Sequence, residues 1–358
     1  MTILNLSNQF EICEDDLINL SKKYSKIKNK VLNHRENTCL ICGKENIRYC
    51  KSHTLPQVLL KNFAENGKVY NPFYLTNKPL LPVVNGIKNT QIFYSICPEC
   101  DSKLFQDYEN FRNYNSAPSN IMLNQIALKN HLYYCYKLER DLKILKHSNS
   151  ELRKERKLNK QFGFGNIIKC HELDFFQHKD KIQKIYKDTI TKNNLFKIGY
   201  YKQLSYMAPI AMHCCIGIYY DFVGKKLNDP FSKRGINFMH FCIFPLENTT
   251  TIFIFYEKEQ HKFDKFFIDL NTLPLEEQLA VINFISFLYC EDIFINKKID
   301  LTQAEKINLG ELICSMPISQ SQKHKIKNEK KTDFKKRYNI KQYKNYINLL
   351  DKKYQIIK

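Results

Sequence analysis

Residues 38–57 read TCLICGKENIRYCKSHTLPQ, and the rest of the chain is best understood outward from this stretch. Cys39 and Cys42 stand at C-x-x-C spacing, where one tight turn presents two sulfurs to a single ion. Such a knuckle needs a second pair to complete a tetrahedron. That pair follows at Cys97 and Cys100 in IFYSICPECDSKLF, with 54 residues between the two pairs. Gly43 suits the turn after the first pair, and Pro98-Glu99 opens a helix after Cys97. The positive end of that helix favours thiolate at Cys100. Cys39, Cys42, Cys97 and Cys100 therefore predict one structural zinc ion held by four thiolates.

Between the knuckles lies His53, in the sequence Ser52-His53-Thr54-Leu55-Pro56. Three roles fit it: a general base of near-neutral pKa, a packed core imidazole, or a ligand joining Cys50 in another zinc site. Hydrolysis of a phosphodiester needs such a base together with a cation that stabilises charge growing on phosphate.

The order of knuckle, histidine strand, turn-rich segment, knuckle and helix resembles the zinc-bound HNH (treble-clef, ββα-metal) endonucleases. The residues that carry the resemblance are Cys39, Cys42, His53 with Pro56, Cys97, Cys100, Asp101 and Lys103, over about a fifth of the chain. It implies His53 as general base and Asp101 as ligand of a catalytic Mg²⁺ or Mn²⁺. Glu109, two helical turns beyond Asp101, supports the site, and Lys103 touches phosphate. An asparagine completes the pattern; Asn71, Asn85 and Asn89 all fit, with Asn89 preferred. Two departures stand out. Ser52 occupies a position where the family commonly has an acidic residue or histidine, and Asp101 one where asparagine or histidine is commoner. A set of bacterial proteins is similar further on, through a helix bearing Glu-x-Phe (here Glu109 and Phe111), and implies an antiviral-defence or mobile-element setting.

The fold class this predicts is α+β: a small zinc-stapled ββα module near the N-terminus of a larger mixed, mainly helical protein. Residues 1–37 read as a helical lead-in, 38–113 as the HNH-like module, and 114–195 as a helical region. Residues 196–319 read as mixed α/β and 320–358 as a basic tail. Asn66-Gly67 and Asn85-Gly86 are hairpin-turn signals. After SAPSN, Leu128, Leu132, Cys135, Leu138, Leu142 and Leu145 recur at threes and fours, a helical core stripe. FKIGYYKQLSYMAP reads as a strand, INFMHFCIFPLENTTTIFIFYEKE as two strands turning at 247–249, and LPLEEQLAVINFISFLYCED as a helix. The most apolar window, Met207 to Tyr220, reads as a buried helix too short to span a bilayer, with His213 as core.

The 358 residues carry a net charge of +20, and residues 320–358 hold thirteen Lys/Arg against three Asp/Glu, a net of +10. A basic segment of this kind attracts polyanions through counterion release, which makes nucleic acid the expected partner, DNA favoured. Lys330, Lys331, Lys335, Lys336 and Arg337 are the expected backbone contacts. Thirteen irregularly spaced cysteines and an opening without a signal-peptide pattern predict a cytoplasmic protein with buried or metal-bound thiols, and no membrane partner. Two readings follow. One is a metal-dependent endonuclease; the other is a catalytically inactive, zinc-stabilised protein that binds nucleic acid, or a protein partner through residues 114–319.

Overall fold

A computed structural model describes residues 38–71, 84–154, 164–229, 235–290, 292–314 and 335–357. The expected helical lead-in, Lys330 and Lys331 lie outside the described residues.

The centre of the molecule is an antiparallel sheet of β2 (Lys68–Tyr70), β3 (Val84–Gly86), β5 (Phe196–Leu204), β6 (Ile210–Ile216), β7 (Met239–Pro245), β8 (Thr250–Glu257) and β9 (Ile293–Ile295). From edge to edge the strands run β3-β2-β9-β6-β7-β8-β5. Every residue of β6, β7 and β8 is buried. Side chains alternate between faces along a strand, so each of these strands feeds two cores. Ile210, Met212, Cys214, Phe241, Ile243, Ile252 and Ile254 enter one core. Ala211, Cys242, Phe244, Phe253 and Phe255 enter the other.

The first core is roofed by α6 (Asp264–Thr272), α7 (Leu275–Tyr289) and α8 (Gln303–Cys314), together with the C-terminal segment. Gly199 lies at a register break between β5 and β8, and a Cβ there would stand 2.5 Å from the Phe267 ring. Only glycine lets helix α6 approach the strand this closely. The opposite face carries α4 (Asn120–Lys154), α5 (Phe164–Ile190) and the cysteine module. All residues from Met122 to Tyr133 are buried, because α4 lies between the sheet, α5 and that module.

The chain is thus mixed α+β, with helices layered on both faces of the central sheet. Three expectations change with it. The window Met207–Tyr220 is not a helix; its core is strand β6. A strand covered on both faces loses the polar alternation that marks a one-sided strand, so it reads as a continuous apolar run. Asn85-Gly86 is not a turn; both residues sit in β3, opposite Val69 and Lys68. Asn66-Gly67 does form the tight turn, with φ of 50° and 69°. The module is joined to the body, because β2 extends the central sheet by pairing with β9. Lastly, residues 335–357 are no detached tail. Tyr338, Ile340, Tyr343, Leu349, Leu350 and Tyr354 are buried in the first core.

Candidate metal centre and the histidine beside it

The first knuckle is a turn closed by Gly43 N–H donating to the Cys39 carbonyl and Cys39 N–H to that of Lys44, both at 2.9 Å. Gly43 has φ +70°, the left-handed region that favours glycine. Cys97 is the N-cap of α2 (Pro98–Leu104), and its sulfur accepts from Cys100 N–H at 3.5 Å. Leu40 N–H to the Ser95 carbonyl and Cys50 N–H to the Ile96 carbonyl tie the two knuckles together.

These links bring one sulfur each from Cys39, Cys42, Cys97 and Cys100 within 4.8 Å of one another. Cys42 and Cys97 sulfurs lie 3.9 Å apart. Zinc–sulfur bonds of about 2.3 Å in a tetrahedron set sulfurs about 3.8 Å apart, so the set fits a zinc ion. Cys97 N–H also donates to the Cys39 sulfur at 3.4 Å, the kind of contact that stabilises thiolate. The Lys44 backbone N–H holds the exposed Cys42 thiol down to about 7, while burial pushes Cys39 and Cys100 up.

His53 lies in β1 (Ser52–His53), which pairs antiparallel with β4 (Ile92–Phe93) directly before the second knuckle. It is 8% exposed. Burial, then Lys129 and Lys51, lower its pKa, opposed by hydrogen bonds to the Lys88 and Ile87 carbonyls. The imidazole is therefore neutral at pH 7, the form a base requires. Gln57, in α1 (Gln57–Phe63), lies with its amide nitrogen 3.4 Å from both ring nitrogens.

Ser52 leaves the strand on the other face. Its hydroxyl donates to Asp101 Oδ1 at 2.6 Å, and the Cys50 thiol donates to Oδ2 at 3.3 Å. Burial and the Asp101 charge push that thiol up to about 12, so Cys50 stays protonated. Glu109 does not continue the Asp101 helix. The chain breaks at Phe105, and Glu109 ends the separate helix α3 (Gln106–Glu109). It still reaches the same neighbourhood, where it pairs with Lys129 of α4. The Lys129 side chain is 1% exposed and its ammonium lies 4.4 Å over the Phe105 ring. A charge so deeply buried persists only when paired.

The structure thus joins Asp101 to Ser52 and Cys50, and Glu109 to Lys129. His53 occupies the opposite side of the same strand. Asn89 ends a 3-10 turn, Ile87–Asn89, beside His53. Lys103 is exposed and paired with Glu99 at 2.9 Å instead of pointing into the cluster. Lys335 and Lys336 are exposed and Arg337 half-buried, and this segment packs on the opposite face of the sheet from the module.

Lys129 and Gln57 were not legible as site residues, while Cys50, offered as a possible zinc ligand beside His53, instead donates its thiol to Asp101. The signal for Lys129 is a lysine within the apolar run IMLNQIALKNHL, whose polar members are all buried. His213, on β6, was expected as core and is buried. Its Nδ1 donates to the Thr54 carbonyl at 3.0 Å, which Tyr108 Oη also reaches at 2.5 Å. The sheet therefore braces the strand end that carries His53.

Fold and cysteine cluster define the class: a mixed α+β protein with a four-cysteine site suited to zinc. The chain matches no family model, no curated protein and no solved structure. No helix among the described residues is long and apolar enough to cross a membrane.

Proposed function

We propose that residues 38–113 form an HNH-like, treble-clef centre that hydrolyses nucleic-acid phosphodiesters. The observation that supports it most is the pair Ser52 and His53, adjacent on one short strand between the knuckles. Ser52 contacts Asp101 on one face, while a neutral, buried His53 lies on the other. In-line displacement at phosphorus needs a base behind the attacking water and a cation that stabilises charge at the phosphate, and both must be carried close together to reach one phosphate.

His53 removes a proton from water, held in place by Gln57 and the Ile87–Lys88 carbonyls, with Asn89 close by in sequence. Asp101 and the Ser52 hydroxyl supply oxygen ligands suited to Mg²⁺ or Mn²⁺, which bind through few carboxylates plus water and phosphate. Such an ion, when bound, supplies charge stabilisation at the phosphate. Glu109 and Lys129 set the local charge. DNA is favoured over RNA by the resemblance alone, as is a role in bacterial defence against phage. The charged segment at Lys335–Arg337 faces away from the centre, so its contribution is to affinity and not to chemistry.

One observation favours a second reading. Both Asp101 oxygens are already engaged, by Ser52 and Cys50, in a cluster that is satisfied without an ion. That supports a catalytically inactive, zinc-stabilised module for binding nucleic acid or a partner.

The test is cleavage of supercoiled plasmid, single-stranded DNA and RNA with Mg²⁺, Mn²⁺ or EDTA. The nuclease reading expects metal-dependent cutting that falls by about 10²-fold or more in folded His53→Ala and Asp101→Asn variants. Zinc-loaded, folded wild type that cuts none of these substrates overturns it in favour of the second reading.

A further inference from the structure

A second convergence of ligand atoms lies away from the four cysteines, where α4 and α5 pack on the sheet. His131 comes from α4, His178 from α5 and Cys215 from β6. One ligand atom from each lies within 4.8 Å of the others, and all three residues are buried. We propose that His131, His178 and Cys215 form a second metal site, specific for a zinc ion, that clamps the α4–α5 pair onto the central sheet.

The geometry supports this in three ways. His131 Nδ1 and His178 Nδ1 face each other at 2.7 Å, so the two rings converge on one point. A hydrogen bond between imidazoles accounts for two of these groups but gives no reason for a thiol to converge with them. Bonds of about 2.0 Å from zinc to nitrogen set two imidazole nitrogens about 3.3 Å apart, so the rings open by only a few tenths of an ångström.

The walls around the rings hold them. Tyr134 stacks on His178 at 5.2 Å and 7°, and Phe238 lies 4.9 Å from His178 and 5.6 Å from His131. His240 meets the edge of His131 at 5.4 Å, and its own Nδ1 accepts from the Asn130 side chain at 3.1 Å. Packed, hydrogen-bonded surroundings of this kind fix ligand orientation.

Two imidazoles and one thiolate form a borderline-soft set that selects zinc over magnesium or calcium. The thiolate cancels half of the ion's charge, and a fourth position remains for a water or hydroxide. The ligands come from three elements far apart in sequence, so the ion would act as a cross-link between layers. The proposal does not depend on the nuclease reading.

Metal content tests it directly. The full chain, expressed with added zinc and dialysed against a weak chelator, should retain about two zinc ions per chain. Cys215→Ser and His178→Gln should each retain about one, while Cys39→Ser keeps the buried ion. Cobalt substitution should show charge transfer from a single thiolate that is lost in Cys215→Ser and present in Cys39→Ser. If His178→Gln fails to fold, the near-isosteric Cys215→Ser decides alone. Wild type retaining one zinc overturns the proposal, as does a folded Cys215→Ser that still retains two. In either case the cluster is a histidine hydrogen bond in a dry core.

Discussion

Around the four cysteines, strands β1 and β4 have two residues each and helices α1 and α2 have seven, gathered about sulfurs that converge on one point. Strands β6, β7 and β8, by contrast, run for seven, seven and eight residues and bury all of them beneath helices on both faces. The first region has little regular structure of its own, and a zinc ion held by the four sulfurs would cross-link what its short elements do not. The second is held by side-chain packing spread over two cores. Removing one ligand should therefore be felt as a collapse in the first, and removing one contact as a graded loss in the second.

The sharpest way to break this contrast is at the four sulfurs. Metal binding to small zinc modules is worth about 10–16 kcal/mol in apparent terms, so chelation or Cys97→Ser should disorder the knuckles outright. Hydrogen exchange should show amides of β1, β4 and α2 losing protection by orders of magnitude while β7 and β8 keep theirs. Equal loss in both regions would mean that β2, through its pairing with β9, makes them one cooperative unit.

Acid should act the other way, on the sheet. Burial pushes His213 down to about 3 and holds His240 well below the ordinary histidine range. Unfolding returns both to about 6.5, so the unfolded chain binds the extra protons. Their contribution is complete above about pH 6.5 and is lost as pH falls, by about 1.4 kcal/mol per pH unit for each histidine. Urea titrations at pH 7 and pH 5 should differ by about 2 kcal/mol per histidine, and His240→Phe should flatten the slope. A profile level from pH 7 to 5 would contradict the neutral, buried imidazoles.

A smaller effect tests the seam between the regions. Glu109→Gln leaves the Lys129 ammonium buried without its partner and should cost about 2 kcal/mol, the exposure of Glu109 trimming the usual penalty. Adding Lys129→Met should restore most of it, since the charge is removed along with its partner. If the double variant is no more stable than the single one, Lys129 has another role in the cluster. The smallest effect expected is at Gly199, where alanine would press on Phe267 and cost about 1–2 kcal/mol in thermal or urea unfolding.

The two regions also differ in what could be read from residues alone. Cys39, Cys42, Cys97 and Cys100 announce themselves because C-x-x-C spacing encodes a local turn, and the helix after Cys97 follows from Pro98 at its first position. Strands β7 and β8 are visible because a short polar turn separates two apolar runs. Strand β6 is not, because Ile210–Ile216 faces a core on each side and carries neither helical nor alternating polarity. The basic C-terminus misleads for a related reason: its lysines dominate the count, while Tyr338, Ile340, Tyr343 and Leu349 anchor it. Within the candidate site, His53 and Asp101 were legible from their places beside the knuckles. Lys129 and His213 come from elements that no local pattern links to them.

What the sequence determined by itself is local: two cysteine knuckles, the helix that follows the second, the long apolar stripe of α4 and the alternation of short turns with strands. These depend on spacing and backbone preference within a few residues. Tertiary structure alone decided that Ser52 meets Asp101, that Glu109 neutralises a buried Lys129, and that the basic segment and the cysteine module lie on opposite faces of one sheet. It also decided that His131, His178 and Cys215 converge. Such meetings join residues far apart in the chain, and they are fixed by which surfaces must be buried together, a property of the whole packed chain and of no single segment.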